Sequence, residues 1–370
     1  MLSDVLRLVP VTEVLAVATE AAASGPGHQP IPVGDCRPAH RMLSQIAGDP
    51  PVTARHHGAV ASLRSDPVAP LAALLATRTG RPHRTYPDVR TVLGDAGGDP
   101  LTLVLGPHRL TDAQLAECSL RDGVGVLTAR DVGTLSVLVA KSILGTGSRA
   151  VTRGGTVAVD TMNGTPGEAN PTTLGPLRER LGQGVEVLML STHGRECLVH
   201  LDDGVICGRA AVKSSSVAPA GTASLGRTSC EWGEGCFREH WRGDRLLPAA
   251  DLSASIVFLD SCGALKAGTA QFGIDTTLVL SLLESDALAV VGSPWTRDGL
   301  PQVPDVFTAA LRAGESLAGA VATVNAAVTA SARSVGRFGL LGDAGLCLEP
   351  LGTARPTLTL ISPGPTVVPA

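Results

Sequence analysis

Residues 187–196 read VLMLSTHGRE, and residues 255–265 read SIVFLDSCGAL. Each is a short apolar run that ends in a small polar residue, a nucleophile-type side chain and a glycine. In the first these are Thr192, His193 and Gly194; in the second, Ser261, Cys262 and Gly263. An uninterrupted apolar run of this length fits a strand buried on both faces, as in a parallel sheet covered by helices. The same rhythm extends outward from the pair. LTLVLG at 101–106, GVGVLTA at 123–129, GTVAVD at 155–160 and ALAVVGS at 287–293 have strand length. TLSVLVAKSIL at 134–144 and TLGPLRERLG at 173–182 have helical spacing. Strands alternating with helices predict an α/β fold with a mostly parallel central sheet. Sites in such folds lie at the carboxyl ends of the strands. His193, Cys262 and Trp295 all fall at such ends.

A thiol is a useful nucleophile once a base takes its proton. An imidazole does this near neutral pH and can later protonate a leaving amine. The oxyanion formed in between needs fixed donors, which backbone N–H groups beside a glycine supply. Spacing alone leaves a second reading open, in which the cysteine is a small core residue and the histidine bonds a carbonyl.

Composition narrows the function classes. In 370 residues, 44% are hydrophobic, 17% charged and 2% aromatic, so the core is built from Val, Leu and Ala. This balance is that of a folded globular chain. A formal net charge of -4 gives no general attraction to nucleic acid or anionic lipid, and neither is an expected partner. No apolar run reaches the roughly 18–20 residues of a membrane span. Asp4, Glu13 and Glu20 interrupt the N-terminal apolar stretch, which argues against a secretion signal. Eight unevenly spaced cysteines fit reduced thiols and a cytoplasmic location. No G-x-S-x-G elbow stands at a strand–helix turn.

Residues 1–98 carry helix-like segments, including DPVAPLAALLATRTG at 66–80, broken by GPGHQPIPVGDCRP at 25–38. They read as an extension or subdomain of unassigned role. Residues 99–352 form the predicted catalytic domain and 353–370 a tail. Residues 209–248 separate the two candidate catalytic strands. Their KSSSVAPAGTASLGRTS run predicts a mobile loop over the site. Cys230, Cys236 and His240 lie close together there, but C-x5-C-x3-H is not a standard zinc spacing, and no metal is expected. His56 and His57 fall in a predicted loop, and His200 reads as an exposed strand residue.

Five stretches, in order, resemble CHAT-type proteins, the caspase-like cysteine peptidases related to separase and the gingipains. They are STHGRECLVHLDDGVICG (191–208), IVFLDSCGA (256–264), DALAVVGSPWTRDG (286–299), FTAALRAGESLAGAVATVNAAV (307–328) and GLLGDAGLCLEP (339–350). The resemblance covers roughly residues 100–350. It implies a caspase–haemoglobinase fold, a three-layer α/β/α arrangement, with His193 as catalytic histidine and Cys262 as nucleophile. Gly194 and the backbone N–H of Cys262 match the oxyanion-hole positions. It further implies a protein or peptide substrate, a regulatory protein partner, no cofactor, and a bacterial defence or programmed-death role. The Arg-rich, Lys-poor composition fits a GC-rich bacterial genome. Where the family carries Gly-Asp-Pro near the C-terminus, this chain has Gly342, Asp343 and Ala344. The family's common tetratricopeptide array is absent. A catalytically silent interaction module on the same fold is the alternative reading.

For the substrate pocket, VGVLTARD is read as the first strand of the sheet, which brings Arg130 and Asp131 to its end. SPWTRDG brings Trp295, Arg297 and Asp298 from the other side. The resemblance implies that Trp295 is a pocket wall; core packing is the alternative reading of the residue itself. A carboxylate floor from Asp298 or Asp131 would select a basic residue before the scissile bond. Asp131 reads equally well as a helix N-cap.

Overall fold

The computed structural model describes residues 33–48, 56–107, 109–145, 155–164, 170–208, 245–267, 277–295, 301–331 and 336–348. Its centre is a nine-stranded sheet in the order β2-β1-β3-β4-β13-β12-β11-β6-β5. The strands are β1 (Ala59–Leu63), β2 (His83–Tyr86), β3 (Leu101–Val104), β4 (Val124–Leu127), β5 (Thr156–Asp160), β6 (Val185–Ser191), β11 (Ala254–Asp260), β12 (Ala289–Gly292) and β13 (Gly339–Gly342). Every neighbouring pair is parallel except β12 with β13, which is antiparallel. A second sheet, in the order β10-β9-β8-β7, is built from β7 (Gly194–Arg195), β8 (Leu198–His200), β9 (Val205–Cys207) and β10 (Leu246–Pro248). The fold is mixed α/β with a large, mostly parallel central sheet.

Helices cover both faces of the sheet, and the alternation along β6 and β11 shows why these strands are apolar throughout. Leu188, Leu190, Val257 and Leu259 join one core, together with Leu135 and Leu138 of α5 (Val132–Leu144) and Leu278 and Leu282 of α7 (Leu278–Glu284). Val187, Met189, Ile256 and Phe258 face the other way. They meet Phe307 of α8 (Val303–Arg312) and Val321 and Val324 of α9 (Leu317–Ala330). Phe258 packs between Phe307 and Phe338 with ring centroids 4.7 Å from each. A strand with a core on each side has no polar face to show, so it reads as one continuous run.

The boundary drawn at residues 98 and 99 falls between β2 and β3, inside this sheet. Before it, α1 (Arg37–Gly48) packs on α5, and α2 (Ala69–Thr79) packs on α5 and β1. The short α3 (Val89–Asp95) follows β2 and α4 (Asp112–Ser119) follows β3; α6 (Leu174–Gly182) follows β5. Residues 56–98 are therefore structural members of the central sheet. The sequence pattern hides them for a physical reason. AVASL in β1 has small residues with a serine among them, and HRTY in β2 is a polar edge strand. Neither shows the apolar run that marks a central strand.

Two buried polar knots hold the halves together. Arg81, just before β2, makes a two-pronged ion pair with Asp343, just after β13, at 2.7 and 2.8 Å. Asp343 Oδ1 also accepts from Thr102 Oγ1 and the Gly345 N–H, and His56 Nδ1 lies 3.2 Å from Oδ2. Burial pushes the Asp343 carboxyl up, but the charge and hydrogen bonds of Arg81 outweigh it and hold the group well below the usual carboxylate range. Thus His56, read from the sequence as a loop residue without signal, is fully buried against this carboxylate. The second knot is Lys141 near the end of α5. Its ammonium donates to the carbonyls of Leu283, Ser285 and Ala287 at 2.8, 2.9 and 2.8 Å. It thereby caps the carboxyl end of α7, where a cation is favoured.

Candidate active site

Strands β5, β6, β11 and β12 are consecutive and mutually parallel, so their carboxyl ends share one edge. The β6–β11 register pairs Asp260 with Ser191. Carried on by two residues, it sets Cys262 opposite His193. The intervening pair is bonded directly: Ser261 Oγ donates to the Thr192 carbonyl at 2.7 Å, and the two hydroxyls lie 3.2 Å apart. Ser261 and Thr192 are buried, whereas His193 is exposed and Cys262 partly buried. The small polar residue before each functional side chain therefore ties the two strand ends together, and the next residue reaches the surface.

The turns after these strands are laced crosswise. The Thr161 N–H donates to the Ser191 carbonyl at 3.1 Å, joining β5 to β6. The Gly263 N–H donates to the Trp295 carbonyl at 3.0 Å, and the Leu265 N–H to the Ser293 carbonyl at 3.2 Å, joining β11 to β12. Gly263 has φ +64°, a left-handed conformation that glycine adopts without steric cost, so the chain can turn sharply after Cys262.

Gly194 opens the second sheet. Its pairing with Val199 is flanked by a bonded pair in which the His200 N–H donates to the His193 carbonyl at 2.8 Å. Bonded and non-bonded pairs alternate in antiparallel ladders. Gly194 thus sits at a non-bonded position, and its N–H points away from β8. A Cβ at Gly194 would lie 2.9 Å from Val199 Cγ1, 3.0 Å from the Leu198 carbonyl oxygen and 3.1 Å from Ser261 Cβ, so any larger residue would force its neighbours to shift. His200 is partly buried, contrary to its reading as an exposed residue, and burial, Arg195 and His193 push its imidazole pKa down. Glu196 forms an ion pair with Lys266 at 2.8 Å, joining the β7–β8 turn to the turn beyond Cys262.

Trp295 stands at this edge, 55% exposed, with its carbonyl bonded to Gly263. The two halves of the pocket reading fare differently. Asp298 and Arg297 lie outside the described residues. Asp131 is not brought to Cys262: it follows β4, which β13 and β12 separate from β11 and which, through the antiparallel β12–β13 pair, runs opposite to β11. Both its carboxylate oxygens are used at the start of α5, by the Thr134 N–H at 2.8 Å and Thr134 Oγ1 at 2.9 Å. Arg130 is paired with Glu284 and donates to Ser281 Oγ at 2.7 Å.

The strand beside β6 is β5, not β4, and its last residue, Asp160, pairs in register with Ser191. Sequence reading passed Asp160 over. Its Oδ1 accepts the N–H groups of Met162 and Asn163 at 2.9 and 2.8 Å, a tight turn that fixes the carboxylate at the edge. The signal was present in GTVAVD, a strand ending in a carboxylate.

Cys230, Cys236 and His240 lie outside the described residues, as does the 209–244 part of the predicted loop. Residues 245–248 are described, and most of them form β10. Cys197 and Cys207 are buried in the small sheet's core with Leu198 and Val205. Among the described residues, no group of three or more His, Cys, Asp or Glu side chains could hold a metal ion, and no helix is long and apolar enough to cross a membrane.

The chain matches no protein-family model and no curated protein. Among solved structures it is similar to the Arg-specific cysteine proteinase gingipain R, at 10% identity over 81% of this chain and 80% of that one, with a TM-score of 0.49. It is also similar to a protein described as a protease (12% identity, 78% of each chain, TM-score 0.47). A third is the complex of Porphyromonas gingivalis RgpB pro- and mature domains (8% identity, 79% of this chain and 80% of that one, TM-score 0.47). At such low identity, residue roles have to come from the site's own geometry.

Proposed function

We propose that the chain is a caspase-like cysteine endopeptidase in which Cys262 is the nucleophile and His193 its base. The observation that supports this reading is the Thr192–Ser261 bond, which ties the two strand ends together one residue before His193 and Cys262 and so puts those two residues at matching positions of the sheet edge. In this reading the imidazole takes the thiol proton, and the thiolate attacks the peptide carbonyl carbon. The oxyanion accepts from the N–H groups of Gly194 and Cys262. The imidazolium then protonates the departing amine, and water, deprotonated by the same imidazole, hydrolyses the thioester. The chemistry requires no cofactor.

The substrate is a protein or peptide, and the preferred residue before the scissile bond is basic. Asp160 takes the role first sought in Asp131, because it ends the strand adjacent to β6. Asp298 is kept as a second contributor. A defence or death-effector role, a regulatory partner and a cytoplasmic site of action belong to the same proposal. Fluorogenic peptides ending in Arg, Lys or Asp test it. Wild type should favour Arg or Lys, Asp160→Asn should lose about tenfold or more on those peptides, and Cys262→Ala should lose all turnover. Preferred turnover of the Asp peptide would contradict the Asp160 assignment. No turnover of any peptide or unfolded protein would favour a silent interaction module.

A further inference from the structure

The β7–β8 hairpin lies across the turn that carries Cys262. A Cβ built on Gly194 would be 3.1 Å from the Cβ of Ser261, the residue before Cys262. One built on Gly263, the residue after it, would be 3.7 Å from both Cδ and Oε1 of Glu196 and 3.9 Å from its backbone nitrogen. Residues 194 and 196 therefore straddle Cys262, one against each of its chain neighbours. Glu196 also reaches along the turn to Lys266, whose ammonium donates to Oε1 at 2.8 Å.

The backbone anchors both partners. The Glu196 carbonyl accepts the Leu278 N–H at 2.8 Å, at the start of α7, and the Cys197 carbonyl accepts the Gly208 N–H at 2.9 Å. On the other side, the Lys266 N–H donates to the Gly263 carbonyl at 3.2 Å, closing the turn after Cys262. An ion pair between two anchored segments sets the distance between them. The hairpin turn consists of Glu196 and Cys197, so whatever holds Glu196 also sets Gly194, two residues back. The Glu196 side chain is 15% exposed and that of Lys266 36%, so the pair is less screened than one on open surface.

We propose that Glu196 and Lys266 are positioning residues for the oxyanion hole: their ion pair holds the Gly194 N–H and the Cys262 N–H at the separation that the tetrahedral oxyanion needs. The inference rests on the hydrolase reading above and adds to it two residues that touch no reacting atom. Oxyanion donors act at about 2.7–3.1 Å from the oxygen. A misplacement of about 1 Å can cost about a hundredfold in rate. The pair should therefore matter for the step that forms the oxyanion. Ionisation of the thiol, which belongs to His193, and binding of the uncleaved peptide should not depend on it.

The test compares wild type with Glu196→Gln, Lys266→Met, Lys266→Arg and the swapped pair Glu196→Lys with Lys266→Glu. The probes are the fluorogenic peptide that wild type prefers, a peptide aldehyde of the same sequence, and iodoacetamide. Addition of the thiolate to the aldehyde forms an S–C bond and moves the C=O π pair onto an oxygen that sits in the oxyanion hole. Iodoacetamide instead loses iodide from a CH2 carbon and forms no oxyanion. Glu196→Gln and Lys266→Met should each lower kcat about tenfold or more with KM little changed, and weaken aldehyde binding in proportion. Alkylation of Cys262 by iodoacetamide should keep its wild-type rate, and Lys266→Arg and the swapped pair should recover most of the loss. Unchanged kcat in both single variants would overturn the inference and leave the hydrolase reading in place. So would alkylation that falls in step with kcat, a loss in Lys266→Met alone, or a swapped pair no better than the single variants. A wild type that cuts no peptide would overturn the hydrolase reading and this inference with it.

Discussion

The strand ends of the first half of the sheet and those of the second half both carry polar side chains, yet they use them differently. After β1, Asp66 is buried and accepts the N–H groups of Gly106 and Val68 at 2.9 and 3.1 Å. After β4, Asp131 caps α5 and Arg130 is paired with Glu284. Polar side chains there are consumed by the fold itself. After β6 and β11 the structural work falls to Thr192 and Ser261, one residue before His193 and Cys262. The difference teaches that a polar residue at a strand end marks chemistry only where a neighbour has already met the fold's own needs.

That contrast can be broken in measurable ways. The largest effect on stability should come from the knot joining the halves. Asp343→Asn leaves the buried Arg81 charge without its partner and should destabilise the chain by about 3–5 kcal/mol, read by denaturant unfolding. The folded-state carboxyl titrates well below its unfolded counterpart, so this stabilisation is complete above about pH 4 and fades as pH falls further. The gap between wild type and variant should shrink in acid, and a gap that widened there would refute the ion-pair account. Next, Lys141→Met should cost about 2–3 kcal/mol, because three buried carbonyls lose their donor. Unchanged stability would mean that those carbonyls find other donors. The smallest effect sharpens the comparison most. Asp131→Ala removes an N-cap and should cost about 1 kcal/mol while leaving peptide turnover and its charge preference as they were. A changed preference would return Asp131 to the pocket.

How much of this was legible in the sequence follows from what each element buries. Strands β6 and β11 face a core on both sides, so VEVLMLS and ASIVFLD announce themselves, and the residues that follow them could be picked out as a candidate pair. Strands β1 and β2 are small or polar and stayed hidden, which is why residues 56–98 looked like an extension. The order of strands in space was also illegible, since β4 and β5 read alike and only pairing tells that β5 borders β6. For that reason the sequence alone points to Asp131 and not to Asp160. The buried partnership of His56, Arg81 and Asp343 joins residues 262 positions or more apart, and no local pattern could reveal it.

The central claim is that His193 activates Cys262, and the rate of alkylation of Cys262 tests it most directly. With a peptidyl acyloxymethyl ketone, wild type should label at Cys262, and His193→Ala should label about a hundredfold more slowly near neutral pH, in line with loss of a positioned base. Raising the pH towards the thiol's own ionisation should narrow that difference, because hydroxide then does the work of the imidazole. Equal labelling of both proteins at neutral pH, or labelling of Cys36 as fast as Cys262, would contradict the account.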